Sequence, residues 1–197
     1  MLSSPIKEAR YLIRLANERA HTPIEQTDLL KKVRELLVPQ KAKAINLRVS
    51  PTAIEFDLFI EPDADVREFT STLEPLGKLL TCKRLDLPPG PVSPVAIVSE
   101  ARQLFNEQRF WEVHEVLEGL WKELKGSEKE LVQGLIIAAA ALVHVQKNEP
   151  NPVWKMLADA LRRLKNQPEK YLGWDVKTFR DHFARVVDAR KIEIPTV

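Results

Sequence analysis

Five side chains within one short stretch have the types and the spacing for chemistry. Residues 110–121 read Phe-Trp-Glu-Val-His-Glu-Val-Leu-Glu-Gly-Leu-Trp. Spacings of three and four put Trp111, His114, Glu115, Glu118 and Trp121 on one helical stripe, with Phe110, Val113, Leu117 and Leu120 on an adjoining apolar one. Two tryptophans bracketing an imidazole and two carboxylates do not compose a solvated face. Polar groups drawn in between them need partners.

The following helix supplies candidates. Gln133 and His144 stand eleven residues apart, close to three turns, and share a face with Ile137, Ala140 and Ala141. Gly134 and the alanines are small enough to let another helix approach. With a turn centred on Gly126 and Ser127, the two helices run antiparallel, Glu118 facing Leu135 and His114 facing Ala139. His144 then lies roughly 7 to 8 Å further along, near Trp111. The spacing predicts a polar seam of Gln133, Glu118, His114 and His144 turned toward the core of a bundle.

Three chemistries suit that seam. His114, Glu118 and His144 are the ligand types of a two-His-one-carboxylate site for a divalent metal, with Glu115 orienting a ligand from behind. Without metal, His114 with Glu115 or Glu118 makes a general acid–base pair. The plainest alternative is a hydrogen-bonded network that ties two helices together. The seam lacks the four carboxylates and paired Glu-x-x-His motifs of a di-iron bundle. It also lacks His-Glu-x-x-His, whose second histidine would stand at Glu118.

The elements that position these residues divide the chain. Pro88, Pro89, Pro91 and Pro94 rule out helix and central strand over residues 88–94, which reads as a linker. Beyond it, residues 95–190 read as an all-helical domain of about five helices, followed by a tail over 191–197. Before it, residues 1–87 read as a small α+β module. Ala9, Leu12, Ile13 and Ala16 have helical spacing, which predicts a helix over 5–18. A second helix starts near Thr22 and Pro23 and buries Leu29, Leu30, Val33, Leu36 and Leu37 before Pro39 stops it. Alternation through Ile45, Leu47 and Val49, then Ile54, Phe56, Leu58 and Ile60, predicts a β-hairpin. Asp63 or Asp65 opens a helix through Val66, Phe69 and Leu73, and residues 79–87 supply a third strand. This module shows no glycine-rich loop and no cluster of histidines, cysteines or carboxylates.

The bulk composition narrows the function classes. The chain of 197 residues is 44% hydrophobic and 29% charged, a globular composition. A net charge of +2 gives no general footprint for nucleic acid or an anionic membrane. The short basic run of Arg162, Arg163 and Lys165 reads as a solvated helix face. One cysteine, Cys82, excludes an internal disulfide and reads as a small buried hydrophobe in a reducing interior. The longest apolar run, 135–143, is about half of a membrane span. The expectation is a soluble cytoplasmic protein that does not enter the membrane. His21 and His182 read as surface residues, and Trp154 and Trp174 as anchors of the last helices.

Residues 105–118, Phe-Asn-Glu-Gln-Arg-Phe-Trp-Glu-Val-His-Glu-Val-Leu-Glu, followed by Trp121, Gln133-Gly134-Leu135-Ile136 and His144, resemble the domain of unknown function 309 family. The resemblance spans roughly residues 95–164. It implies an all-helical fold and a pattern centred on Trp111, His114, Glu115, Glu118, Trp121, Gln133, Gly134 and His144. After His144 the chain departs from the family, with Lys147-Asn148 and Pro152-Val153 where the family has Gly-Asn and Gly-Ala. The resemblance carries no activity.

Three functions stay open. The leading one is a non-enzymatic binding or scaffold protein, its partner another protein or a second copy of itself. The second is a metal-binding protein, or a hydrolase-like enzyme, built on His114, Glu118 and His144. The third is nucleic-acid association through the N-terminal module, which rests on fold analogy alone.

Overall fold

The structure is a computed structural model that describes residues 8–86 and 92–197. Most of the expected linker, and the start of the expected first helix, lie outside those residues. The chain divides into two compact units. The first holds the strands and helices up to Arg84, and the second the helices from Pro94 onward, apart from residues 146–148.

The first unit is an antiparallel sheet with helices. Its elements are β1 (Ala9–Ala16), α1 (Gln26–Leu37), β2 (Lys43–Val49), β3 (Ala53–Ile60), α2 (Val66–Thr72) and β4 (Leu79–Arg84), in the sheet order β2-β3-β1-β4. The hairpin β2-β3 forms as its alternation requires, and its turn closes where the Ser50 hydroxyl accepts from the Ala53 amide at 3.0 Å. The Asp65 carboxylate caps α2 by accepting from the Arg67 amide at 3.0 Å. One sheet face, with Ile13, Leu15, Ile54, Phe56 and Leu58, packs with Leu29 and Val33 of α1 and Phe69 of α2.

Two expectations fail here. Residues 9–16 form β1, a strand between β3 and β4, not a helix. Leu12 and Ile13 are both fully buried although consecutive strand residues point to opposite faces. A strand buried in this way loses alternation, and its apolar positions fell by coincidence on a helical period. Cys82 is exposed on β4, not buried. Partial desolvation still holds its thiol above the ordinary value, which disfavours the thiolate.

Among its described residues the second unit contains five helices: α3 (Pro94–Asn106), α4 (Phe110–Glu123), α5 (Gly126–Gln146), α6 (Pro150–Leu164) and α7 (Val176–Ala189). A two-stranded ribbon, β5 (Lys170–Tyr171) with β6 (Trp174–Asp175), precedes α7. Ser93 caps α3 by accepting from the Ala96 amide, and Asp175 caps α7 by accepting from the Thr178 amide at 2.8 Å. Phe105, Phe110, Trp174 and Phe179 meet in edge-on ring pairs with centroids 5.2 to 5.8 Å apart. Trp174 is fully buried and anchors the start of α7, as its size suggested. Residues 191–197 have no helix or strand, yet Ile192, Ile194 and Val197 pack on the core and the Asn106 amide group bonds to both the N–H and the C=O of Val197.

At Gly134, α5 and α6 pack closely. A Cβ there would stand 2.8 Å from Leu164 Cγ and 3.3 Å from the Ala160 carbonyl oxygen. Gly134 thus does admit a neighbouring helix, and the neighbour is α6.

Candidate functional site on α4

The turn from α3 into α4 is fixed by charge. Arg109 precedes the first residue of α4, and its guanidinium donates to both carboxylate oxygens of Glu112, Nε to Oε1 at 2.7 Å and Nη2 to Oε2 at 2.9 Å. The same guanidinium donates to Glu107 at 2.9 Å. Glu112 is 3% exposed, the one buried carboxylate among the described residues of the helical unit. Sequence reasoning passed over it. The available signal was Arg-x-x-Glu at a helix start.

One turn further on, the stripe faces outward at the edge of the core. The side chains of His114, Glu115 and Glu118 are 33%, 46% and 40% exposed. Trp111 and Trp121 flank them, both half-buried. One donor atom from each of His114, Glu115 and Glu118 lies within 4.8 Å of the other two, and among the described residues this is the group of histidine and carboxylate side chains gathered closely enough to hold a metal ion. His114 Nδ1 stands 3.4 Å from Glu115 Oε1, and Lys122 Nζ stands 3.7 Å from Glu118 Oε1. Lys129, from the first turns of α5, places its ammonium 4.0 Å from the centre of the Trp121 ring.

The seam predicted from the sequence is therefore divided. The connection is Leu124 and Lys125, tighter than expected, and Lys129 lies beside Trp121, so facing residues of α4 and α5 sum to about 250. On that register His144 stands opposite a position before α4 begins, about 12 Å along the axis from His114. Its Nδ1 pairs with Glu149 at 2.6 Å instead. Gln133 is half-buried on α5. The metal set expected from the sequence was His114, Glu118 and His144; the fold gathers His114, Glu115 and Glu118. Glu115 moves from a supporting position into the donor set, and the groups sit at the rim of the core, not inside it.

The first unit holds charges that the sequence pattern also concealed. On the sheet face opposite Phe56 and Leu58, Glu55 and Asp57 are almost fully buried. Asp57 accepts from Arg10 at 2.8 Å, Asn46 at 3.0 Å and Arg48 at 3.3 Å, while Glu55 pairs with Arg14 at 3.0 Å. The bulge between Ile45 and Arg48 turns Asn46, at φ +56°, toward Asp57. What the sequence pattern does not announce is this buried network of ion pairs around two carboxylates. Alternating charges on three separate strands meet only once the sheet register is known.

Residues 98–156 match the family described as "Domain of unknown function (DUF309)". The chain is 29% identical over 100 residues to an uncharacterized protein of Aquifex aeolicus (strain VF5); the match takes in 50% of this chain and 30% of that protein's length. It is also similar to the crystal structure of a conserved hypothetical protein from Thermus thermophilus, with 33% identity and a TM-score of 0.41 over 46% of this chain and 95% of that one. No helix among the described residues is long and apolar enough to cross a membrane.

Proposed function

Taking residues 98–156 as a member of the DUF309 family, we propose that this protein is a non-enzymatic binding protein whose working surface is the outward stripe of α4, Trp111, His114, Glu115 and Glu118. One observation carries the reading: the charged side chains of the stripe are a third to a half exposed, close together, and flanked by half-buried tryptophans. A network that existed only to join helices would bury these groups and satisfy each with a partner on the facing helix. A stripe that offers a polar cluster between indole rings suits capture of a ligand, since aromatic residues supply rigid contact area and the polar groups direct it.

Stability measurements separate the two accounts. Surface positions tolerate replacement to within about 0.5 kcal/mol, whereas breaking a buried polar network costs several times that. Urea unfolding of H114A, E115Q and E118Q is expected to give values within that margin of the parent protein. A loss above about 2 kcal/mol in H114A or E118Q would return the stripe to a purely structural role.

A further inference from the structure

We infer that His114, Glu115 and Glu118 together bind a divalent transition-metal ion. This rests on the reading of the α4 stripe as a binding surface and names its ligand.

The first ground is the donor set. One imidazole nitrogen and two carboxylate oxygens, each within 4.8 Å of the others, come from a single helical face. Donors around one ion at about 2.1 Å lie roughly 3 to 4.3 Å apart, so rotation of half-exposed glutamate side chains closes the difference. Nitrogen with carboxylate oxygen favours borderline ions such as Zn²⁺, Co²⁺ or Ni²⁺ over Ca²⁺ and Mg²⁺, which prefer oxygen alone.

The second ground is how the chain's four histidines are engaged. His21 Nδ1 lies 2.7 Å from Glu25, His144 Nδ1 2.6 Å from Glu149, and His182 Nε2 2.8 Å from the Glu193 carbonyl. His114 differs: its polar neighbour is Glu115 at 3.4 Å, too long for a good hydrogen bond. The imidazole held between two carboxylates is the one whose nitrogens are left for another ligand. Two carboxylates spaced i,i+3 also repel one another, and Lys122 stands 3.7 Å from Glu118. A bound cation would offset it directly. Three protein donors leave further positions on the ion, through which a partner's oxygen or nitrogen atoms could be held.

Cobalt(II) is the probe. Untagged full-length protein, stripped with chelator, is titrated with Co²⁺ and followed by calorimetry and by its visible absorption. The expected result is saturable uptake of one ion per chain, weakened at least about tenfold by H114A and by E118Q. H144A and H182A are expected to bind as the parent does, because their rings are committed elsewhere. K122Q is expected to bind more tightly. Absence of uptake at millimolar Co²⁺, or uptake that survives H114A and E118Q, overturns the inference. Circular dichroism checks that each variant is folded; if H114A is not, the near-isosteric E118Q decides. Unchanged stability in the stripe variants with no cobalt uptake would sink the metal ion and leave the binding surface standing. Large stability losses in those variants would sink the surface itself.

Discussion

Arg109 and Glu112 form a two-pronged ion pair across the first turn of α4, one guanidinium edge meeting both carboxylate oxygens at 2.7 and 2.9 Å. The arginine stands just outside the helix and the glutamate is buried within its first turn. The pair ties the residue before α4 to its first turn, just ahead of the His114 stripe.

Removing the charge of Glu112 should therefore be costly. Hydrogen bonds to charged groups contribute about 1.5 to 3 kcal/mol, and Arg109 keeps part of its side chain in water. E112Q is expected to lose about 2 to 3 kcal/mol in urea unfolding. A loss below about 0.5 kcal/mol, within the usual surface margin, would show that the turn is held by packing alone.

Gly134 should tolerate no side chain. An alanine methyl would fall 2.8 Å from Leu164 Cγ, and overpacking of this kind costs typically about 1 to 3 kcal/mol. G134A is expected to destabilise the protein within that range. Adding L164A should recover part of the loss, so that the double variant is less damaged than the two single effects together. Strict additivity would mean that α5 and α6 move apart freely.

Asp57 offers a test of the first unit. Three donors, from Arg10, Asn46 and Arg48, converge on its fully buried carboxylate. D57A takes one of two anions from the buried Arg48, which keeps Glu55 at 3.5 Å, and the carboxylate partner at 2.8 Å from the partly exposed Arg10, at a cost of about 3 kcal/mol. Hydrogen exchange of the β1 and β3 amides should accelerate accordingly. Protection unchanged from the parent would contradict the assigned role.

Alkaline pH should weaken the helical unit through Tyr171. Burial, then the hydrogen bond to Glu128 at 2.7 Å, raises its phenol above the ordinary value of 10.0. The folded state thus keeps a proton that the unfolded chain releases. The stabilisation is complete below the unfolded value of 10.0 and declines as pH rises toward the folded-state value. In urea unfolding between about pH 9 and 11, Y171F is expected to lose less stability with rising pH than the parent. Parallel slopes would remove Tyr171 as the cause.

The residues show why some features could be read from the sequence and others could not. The helices from Pro94 onward and the hairpin at Ser50 carry local signals: caps, prolines, and a clear period of 3.6 or 2. The stripe of Trp111, His114, Glu115 and Glu118 follows from spacing on one helix and needs no tertiary information. His144 depends on a hairpin register, and a connection shorter than expected moves it away from α4. The meeting of Arg10, Arg48 and Asp57 depends on the order of strands distant in the chain, which no local pattern encodes. Between β1 and a helix, the spacing of Leu12, Ile13 and Ala16 does not discriminate.

That placement of β1 bears on how the protein is made. The strand leaves the ribosome before both of its partners, β3 on one side and β4 on the other. Until Arg84 has been synthesised and has cleared the exit tunnel, the nascent strand keeps at least one edge unmatched, its apolar residues open to wrong neighbours. Folding of this unit must therefore await nearly its whole length, as expected where pairing is between distant segments. The helical hairpins that follow can form almost as fast as they emerge.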